Sequence, residues 1–113
     1  MEINTKINII DGGVTAAKGY MAASTAAGIK YQGRTDMAMV ISEEPAVSAG
    51  VYTTNVVKAA PVVWDKQGTD SDKKVTAIVV NAGIANACTG KQGLSYCDET
   101  AEAVAKALNV SKE

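Results

Sequence analysis

The 113-residue chain has no histidine and no phenylalanine, only two prolines and two cysteines, and aromatic residues make up 4% of it. Each shortage removes a class of function. Without an imidazole of its own the chain cannot assemble Ser-His-Asp or Cys-His catalysis, and most zinc sites are closed to it. Cys88 and Cys97 stand nine residues apart with no CxxC pair, a pattern of two buried thiols rather than a metal site or a disulfide framework. Few aromatics, a formal net charge of -1 and no Lys/Arg run leave neither a basic stripe nor stacking platforms, so nucleic acid is not an expected partner. No apolar run approaches the ~20 residues that span a bilayer, and no signal-peptide pattern opens the chain; the expectation is a cytoplasmic protein with no membrane partner.

What is present is a 47% hydrophobic composition, enough for one modest core, so residues 1–113 read as a single N-terminal subdomain. The loosely alternating Ile3, Ile7, Ile9 and Ile10 lead to Gly12-Gly13 and read as a short strand or an extended arm. Tyr20 to Lys30, the turn residues Gln32-Gly33-Arg34 and the apolar run Met37 to Ile41 read as a hairpin. Glu43-Glu44-Pro45 should end that second strand, and Ala49 to Thr54 has the β-branched and aromatic content of a third, which predicts a three-stranded antiparallel meander.

Ala59 to Trp64 opens a short helix with Pro61 in its first turn, Gln67 to Lys74 reads as a solvated loop, and Val75 to Val80 as a strand. Beyond Gly90, Leu94, Cys97, Ala101, Val104, Ala105 and Leu108 recur at three-and-four spacing, the mark of an amphipathic helix packed on a sheet. The fold class is therefore α/β of the α+β type, a mainly antiparallel sheet with a flanking helix.

The junction from Ala77 to Gly93, where a strand runs into a small-residue loop and then a helix, is the place for chemistry in such a fold. Thr89-Gly90-Lys91 resembles the end of a phosphate loop, but the spacing fails: Ala85 stands where the first glycine is required and Gln92 where Ser or Thr should follow the lysine. The dinucleotide fingerprint fails too, at Ala85 and Cys88. The residue types favour a structural role, with Asn81 and Asn86 bonding loop backbone and Cys88 filling core. Thr53 and Thr54 suit a strand, Lys18 and Lys58 are expected to be solvated, and Asp98, Glu99 and Glu102 suit the early part of a helix, so no catalytic carboxylate pair is implied.

Three blocks carry a resemblance: Gly13-Val14-Thr15-Ala16-Ala17-Lys18-Gly19-Tyr20; Gly50-Val51-Tyr52-Thr53-Thr54-Asn55 with Lys58-Ala59-Ala60-Pro61-Val62; and Ile78-Val79-Val80-Asn81-Ala82-Gly83-Ile84-Ala85-Asn86-Ala87-Cys88-Thr89-Gly90. In order and spacing they resemble the N-terminal third of ornithine acetyltransferase, the bifunctional glutamate N-acetyltransferase. Ala17 replaces the family's usual Pro, Ala82 a common Ser and Ile84 a common Asn. The resemblance implies part of a layered ornithine acetyltransferase fold, incomplete relative to the family. It also implies a role in arginine biosynthesis, with acetyl moving from N-acetylornithine to glutamate. No resident cofactor is implied, and acetyl-CoA is a co-substrate of the bifunctional members. The implied partners are the rest of the α subunit and the β subunit, in an α2β2 assembly.

The family precursor cleaves itself between Ala and Thr; the new N-terminal Thr is the nucleophile, with its amine a base, and a Thr-Gly pair holds the oxyanion of the acetyl-threonine intermediate. This chain has no Ala-Thr dipeptide, so no catalytic residue transfers to it. Thr89-Gly90 belongs to a different motif from the oxyanion pair. Asn81, Asn86, Thr89 and Gly90 stand as scaffold or pocket-lining candidates. The competing readings are a binding module that retains the first subdomain and, more weakly, a nucleotide-binding domain using residues 83–91.

Two measurements test the catalytic silence of the chain and the nucleotide reading. The purified chain should show no acetyl transfer from N-acetylornithine, and calorimetric titration with ATP should give no heat; activity in the first would defeat the assignment of the nucleophile elsewhere, and binding in the second would revive the phosphate loop.

Overall fold

The computed structural model describes residues 6–112, so Ile3 of the expected N-terminal strand lies outside them. Residues 6–13 form no strand, and Ile7, Ile9 and Ile10 are exposed. A single 3-10 turn, Val14–Ala16, then leads into a three-stranded antiparallel sheet of strands β1 (Tyr20–Thr25), β2 (Met37–Ala46) and β3 (Val75–Asn81), in the order β1-β2-β3. Helix α1 (Ala60–Thr69) lies in the connection from β2 to β3, and α2 (Gly90–Leu108) follows β3.

The hairpin expected from the turn residues is present: β1 pairs with β2 from Tyr20↔Ser42 to Thr25↔Met37. Its first strand ends at Thr25 instead of running to Lys30, because Asp36 closes the connection. The Asp36 carboxylate accepts the amides of Ala27 (2.7 Å) and Ile29 (2.8 Å). Its backbone N–H donates to the Thr25 carbonyl at 3.1 Å, and its carbonyl accepts the Ala82 amide at 2.9 Å. One residue thus ties the end of β1, the connecting loop and the residue after β3, an Asx-type use of a short carboxylate.

Two expectations fail, for related reasons. Residues 49–54 do not form a strand; both edges of β2 are occupied, by β1 and by β3, so the β-prone segment has no ladder to join there. The meander exists, with Val75–Asn81 as its third member. Nor does Glu43-Glu44-Pro45 end β2, which runs to Ala46. The β2–β3 register jumps between Ile41↔Ala77 and Ala46↔Val75, so Pro45 falls in an irregularity where its missing N–H costs no regular ladder bond.

Helix α1 runs further than Trp64, to Thr69, and shortens the expected loop. Pro61 occupies its first turn, where an N–H is dispensable. Its polar end is held locally by a Lys66–Asp70 ion pair one turn apart and by the Thr69 hydroxyl, which donates to the Asp65 carbonyl at 3.1 Å. Helix α2 buries the expected stripe, with Ala105 buried and Leu94, Cys97, Ala101, Val104 and Leu108 half-buried. It ends at Asn109, whose left-handed φ of 55° caps the last turn.

Helix α2 packs closely against α1, and the closest backbone approaches of the sheet are among its own strands and between β1 and the 3-10 turn. Ala60 (7% exposed) and Ala105 (8%) are the buried hydrophobic residues among those described; small side chains let backbones approach closely, and little large apolar surface is removed from water.

Asp36 gives a pH-dependent prediction. The amides of Ile29 and, next, Ala27 hold its carboxyl below the usual carboxylate range. A carboxyl whose folded-state pKa is lowered stabilises fully above its unfolded value of about 3.9, and the contribution is lost as the pH falls through the lower folded value. The protection of the Ala27 and Ile29 amides, taken as exchange relative to the intrinsic rate at each pH, should therefore be high at neutral pH and fall in strong acid; in Asp36→Asn it should be lower at neutral pH, with no further fall from this source in acid.

Candidate functional site

The junction after β3 is built around Asn86. β3 ends at Asn81, and Gly83 then turns the chain with a φ of 110°, a left-handed conformation that glycine adopts without steric cost. A Cβ at that position would stand 3.2 Å from Lys30 Cβ, so the β1–β2 connection lies alongside. Three residues on, Asn86 bonds in several directions. Its backbone carbonyl accepts the Ala60 amide at 3.1 Å, satisfying a free N–H at the start of α1. Its side-chain Nδ2 donates to the Gly93 carbonyl at 2.9 Å and lies 3.7 Å from Cys97 Sγ, and its Oδ1 accepts the Thr89 hydroxyl.

Gly93 makes this arrangement possible. A Cβ there would overlap Thr89 Oγ1 and come within 2.8 Å of Thr89 Cβ, so rotating the threonine hydroxyl would not make room. The first turn of α2 therefore needs glycine for close approach. Gly90, at a φ of 58°, begins the helix, and Thr89 contributes its carbonyl to the Gly93 N–H at 3.3 Å.

Of the four candidates, the structure brings Asn86 and Thr89 together and places Gly90 directly after them. Asn81 stands apart: it pairs with Met37 at the end of the β2–β3 ladder and is exposed. Cys88 is no core filler, being exposed with a φ of 57°; of this loop's residues it is Asn86 that is half-buried. Cys97 does behave as a partly buried thiol. Removal from water raises its pKa above the usual value, the Asp65 charge raises it further, and the bond from Asn86 opposes both. A raised pKa leaves little thiolate at neutral pH, so this sulfur is not an activated nucleophile.

Elsewhere the hydroxyl-bearing candidates are engaged locally. Thr53 Oγ1 accepts the Asn55 amide at 3.2 Å, and the hydroxyls of Tyr52 and Thr69 are 3.0 Å apart. Thr53 and Lys58 border an open depression with Tyr52, Val62 and Lys66. Among the described residues no three His, Cys, Asp or Glu side chains converge to hold a metal ion, and no helix is long and apolar enough to cross a membrane. The arrangement can position backbone and order two helices; it presents no nucleophile-base pair. Sequence reasoning missed Gly93 and Asp36, although a glycine one turn after Gly90 is itself a sign of close approach.

Comparison with known proteins matches the same region. A family model described as the ArgJ family covers residues 21–113. The chain is 53% identical over 104 residues to the arginine biosynthesis bifunctional protein ArgJ of Gloeobacter violaceus, covering 92% of this chain and 26% of that protein. It is 48% identical over 103 residues to a chloroplastic ArgJ of Oryza sativa subsp. indica, covering 90% and 22%.

Two solved structures share the fold. The bifunctional ArgJ of Bacillus halodurans matches with a TM-score of 0.83 at 40% identity, over 89% of this chain and 52% of that one. The ornithine acetyltransferase of Mycobacterium tuberculosis, complexed with ornithine, matches with a TM-score of 0.81 at 50% identity, over 86% and 50%. The chain thus spans about a quarter of the length of the curated relatives and about half of each solved chain.

Substitutions test the joint. Asn86→Ala removes bonds from a half-buried side chain and should cost about 1–3 kcal/mol of stability, read as a lower denaturation midpoint. Gly93→Ala should cost a similar amount, about 1–3 kcal/mol, by overpacking. Combined with Thr89→Ala it should cost less than the sum of the two single changes, because the crowding Oγ1 is removed even though the Cβ of residue 89 stays; strict additivity would mean that Gly93 and the Thr89 hydroxyl do not press on one another.

Proposed function

The chain belongs to the ArgJ family, and on that premise we propose that it supplies the N-terminal part of an acetyltransferase that moves acetyl from N-acetylornithine to glutamate in arginine biosynthesis. The observation that carries the reading is the 53% identity to a bifunctional ArgJ across 92% of the chain, which includes the loop and first turn built on Asn86. In this reading residues 21–113 are framework, and the chemistry is an acetyl-threonine mechanism whose nucleophile comes from a part of the family protein that this chain does not cover. The partly buried, protonated Cys97 and the locally bonded Thr53 and Thr89 fit a framework role.

The reading takes no resident cofactor, with acetyl-CoA entering as a co-substrate of glutamate. Its partners are the rest of the α subunit and the β subunit in an α2β2 assembly. One comparison supports processing into two subunits: matched stretches of similar length cover 52% of the solved Bacillus halodurans chain but 26% of the Gloeobacter violaceus protein, so the solved chain is about half as long. A cytoplasmic setting suits a biosynthetic enzyme, although the Oryza sativa relative is chloroplastic by name.

The test is a chimera in which this chain replaces the matching 104-residue stretch of the Gloeobacter violaceus protein. It should transfer acetyl from N-acetylornithine to glutamate at a rate within about tenfold of the parent, since the framework leaves the reacting groups to the rest of the protein. A folded, correctly processed chimera without that activity would refute the proposal.

A further inference from the structure

The connection between β1 and β2 gathers positive charge that no described residue pairs with. Lys30 Nζ and the Arg34 guanidinium carbon each lie 5.1 Å from the centre of the same ring, that of Tyr31. The two charges are therefore no more than about 10 Å apart, roughly one screening length, and they repel each other. Attraction to an exposed ring face is worth only about 0.5–1 kcal/mol and does not neutralise them. Among the described residues neither Lys30 nor Arg34 takes part in an ion pair. The nearby acid is already engaged, since the Asp36 carboxylate accepts the amides of Ala27 and Ile29.

Beside these cations is a small cleft between two loops. Lys30, Tyr31, Arg34 and Asp36 line it from the β1–β2 connection, and Ala82 and Gly83 from the turn after β3. Its volume of about 70 Å³ has room for about two waters, which suits the head group of an anion and leaves the rest of a larger ligand outside. Gly83 puts no side chain there, and with Asp36 counted the lining remains net positive. We propose that Lys30 and Arg34 bind a phosphoryl group at this cleft, the Arg34 fork taking two of its oxygens and the Lys30 ammonium a third. An arginine fork fits phosphate oxygens in pairs, and a lysine acts as a point charge. A phosphate monoester carries close to two negative charges at neutral pH and matches both cations, whereas a carboxylate would leave one over. Free phosphate and a phosphorylated molecule share this chemistry; coenzyme A is the phosphorylated molecule that the proposed function brings to the protein. The site itself rests on charge and geometry and not on acetyl transfer.

Titration of the same chimera at low salt tests the site, with coenzyme A followed by calorimetry and inorganic phosphate by phosphorus NMR line broadening. Lys30→Gln and Arg34→Gln should each weaken binding at least about tenfold, the loss expected for one charge-assisted hydrogen bond. Arg34→Lys keeps the charge without the fork and should fall between the parent and Arg34→Gln. Both residues are exposed, and matching denaturation midpoints would show that the variants fold. Weakened coenzyme A binding in these variants assigns the phosphoryl group to that molecule; weakened phosphate binding alone assigns free phosphate. Binding of neither probe would overturn the proposal, as when acidic side chains elsewhere in the whole protein pair with the two cations. Binding that survives both glutamine substitutions, or that is lost in Lys58→Gln instead, would overturn it too. A chimera that transfers acetyl from N-acetylornithine yet binds neither probe defeats this proposal alone; an inactive one whose probe binding depends on Lys30 and Arg34 defeats only the functional reading.

Discussion

Several parts of this structure meet at Asn86. Its backbone carbonyl closes the start of α1, its side-chain amide bonds the first turn of α2, and its Oδ1 receives the Thr89 hydroxyl. A half-buried amide that uses both ends in this way sets the loop after β3 in one conformation, because each unmade bond would leave a polar group partly withdrawn from water. The exposed, left-handed Cys88 and the obligatory glycine at 93 follow from that conformation. Asp36 does the same for the sheet on a smaller scale, holding the hairpin connection to the end of β1 and to Ala82.

The helices and the sheet stand in different relations to solvent. Helices α1 and α2 pack on each other through small residues, so Ala60, Gly93 and Ala105 are buried while large side chains are only partly covered. The sheet keeps its close contacts mainly among its own strands and leaves Ile78 and Val80 in water. With Val51, Val56, Val57 and Ile84 also exposed, the apolar content of the sequence exceeds what this arrangement buries. Such a surplus is the mark of a surface that packs against further polypeptide, and the curated relatives are about four times as long.

Local patterns in the sequence were read correctly wherever one periodicity dominated. The three-and-four stripe from Leu94 to Leu108 became the inner face of α2, Pro61 entered the first turn of α1, and the turn residues 32–34 joined two antiparallel strands. Reading failed where a long-range decision overrode propensity. Ala49 to Thr54 is as β-prone as any segment, but β2 had no free edge for it; Pro45 seemed to stop β2, but a register irregularity accommodated it. Of the candidate site, the Asn86–Thr89 pairing was foreshadowed by the residue types, while Gly93 and Asp36 were invisible as partners because their contacts range from Thr89, one turn before Gly93, to Ala82, far along the chain from Asp36, and depend on how the loops turn.

The sequence by itself determined the family, the α+β class and the absence of an internal catalytic histidine, since these rest on residue identity, order and local period. Only the tertiary structure decided which strand completes the sheet, that α2 lies against α1, and that Asn86 joins both helices to the loop. Those outcomes depend on competition among distant segments for a limited number of strand edges and close-packed faces, and no local pattern records who wins that competition.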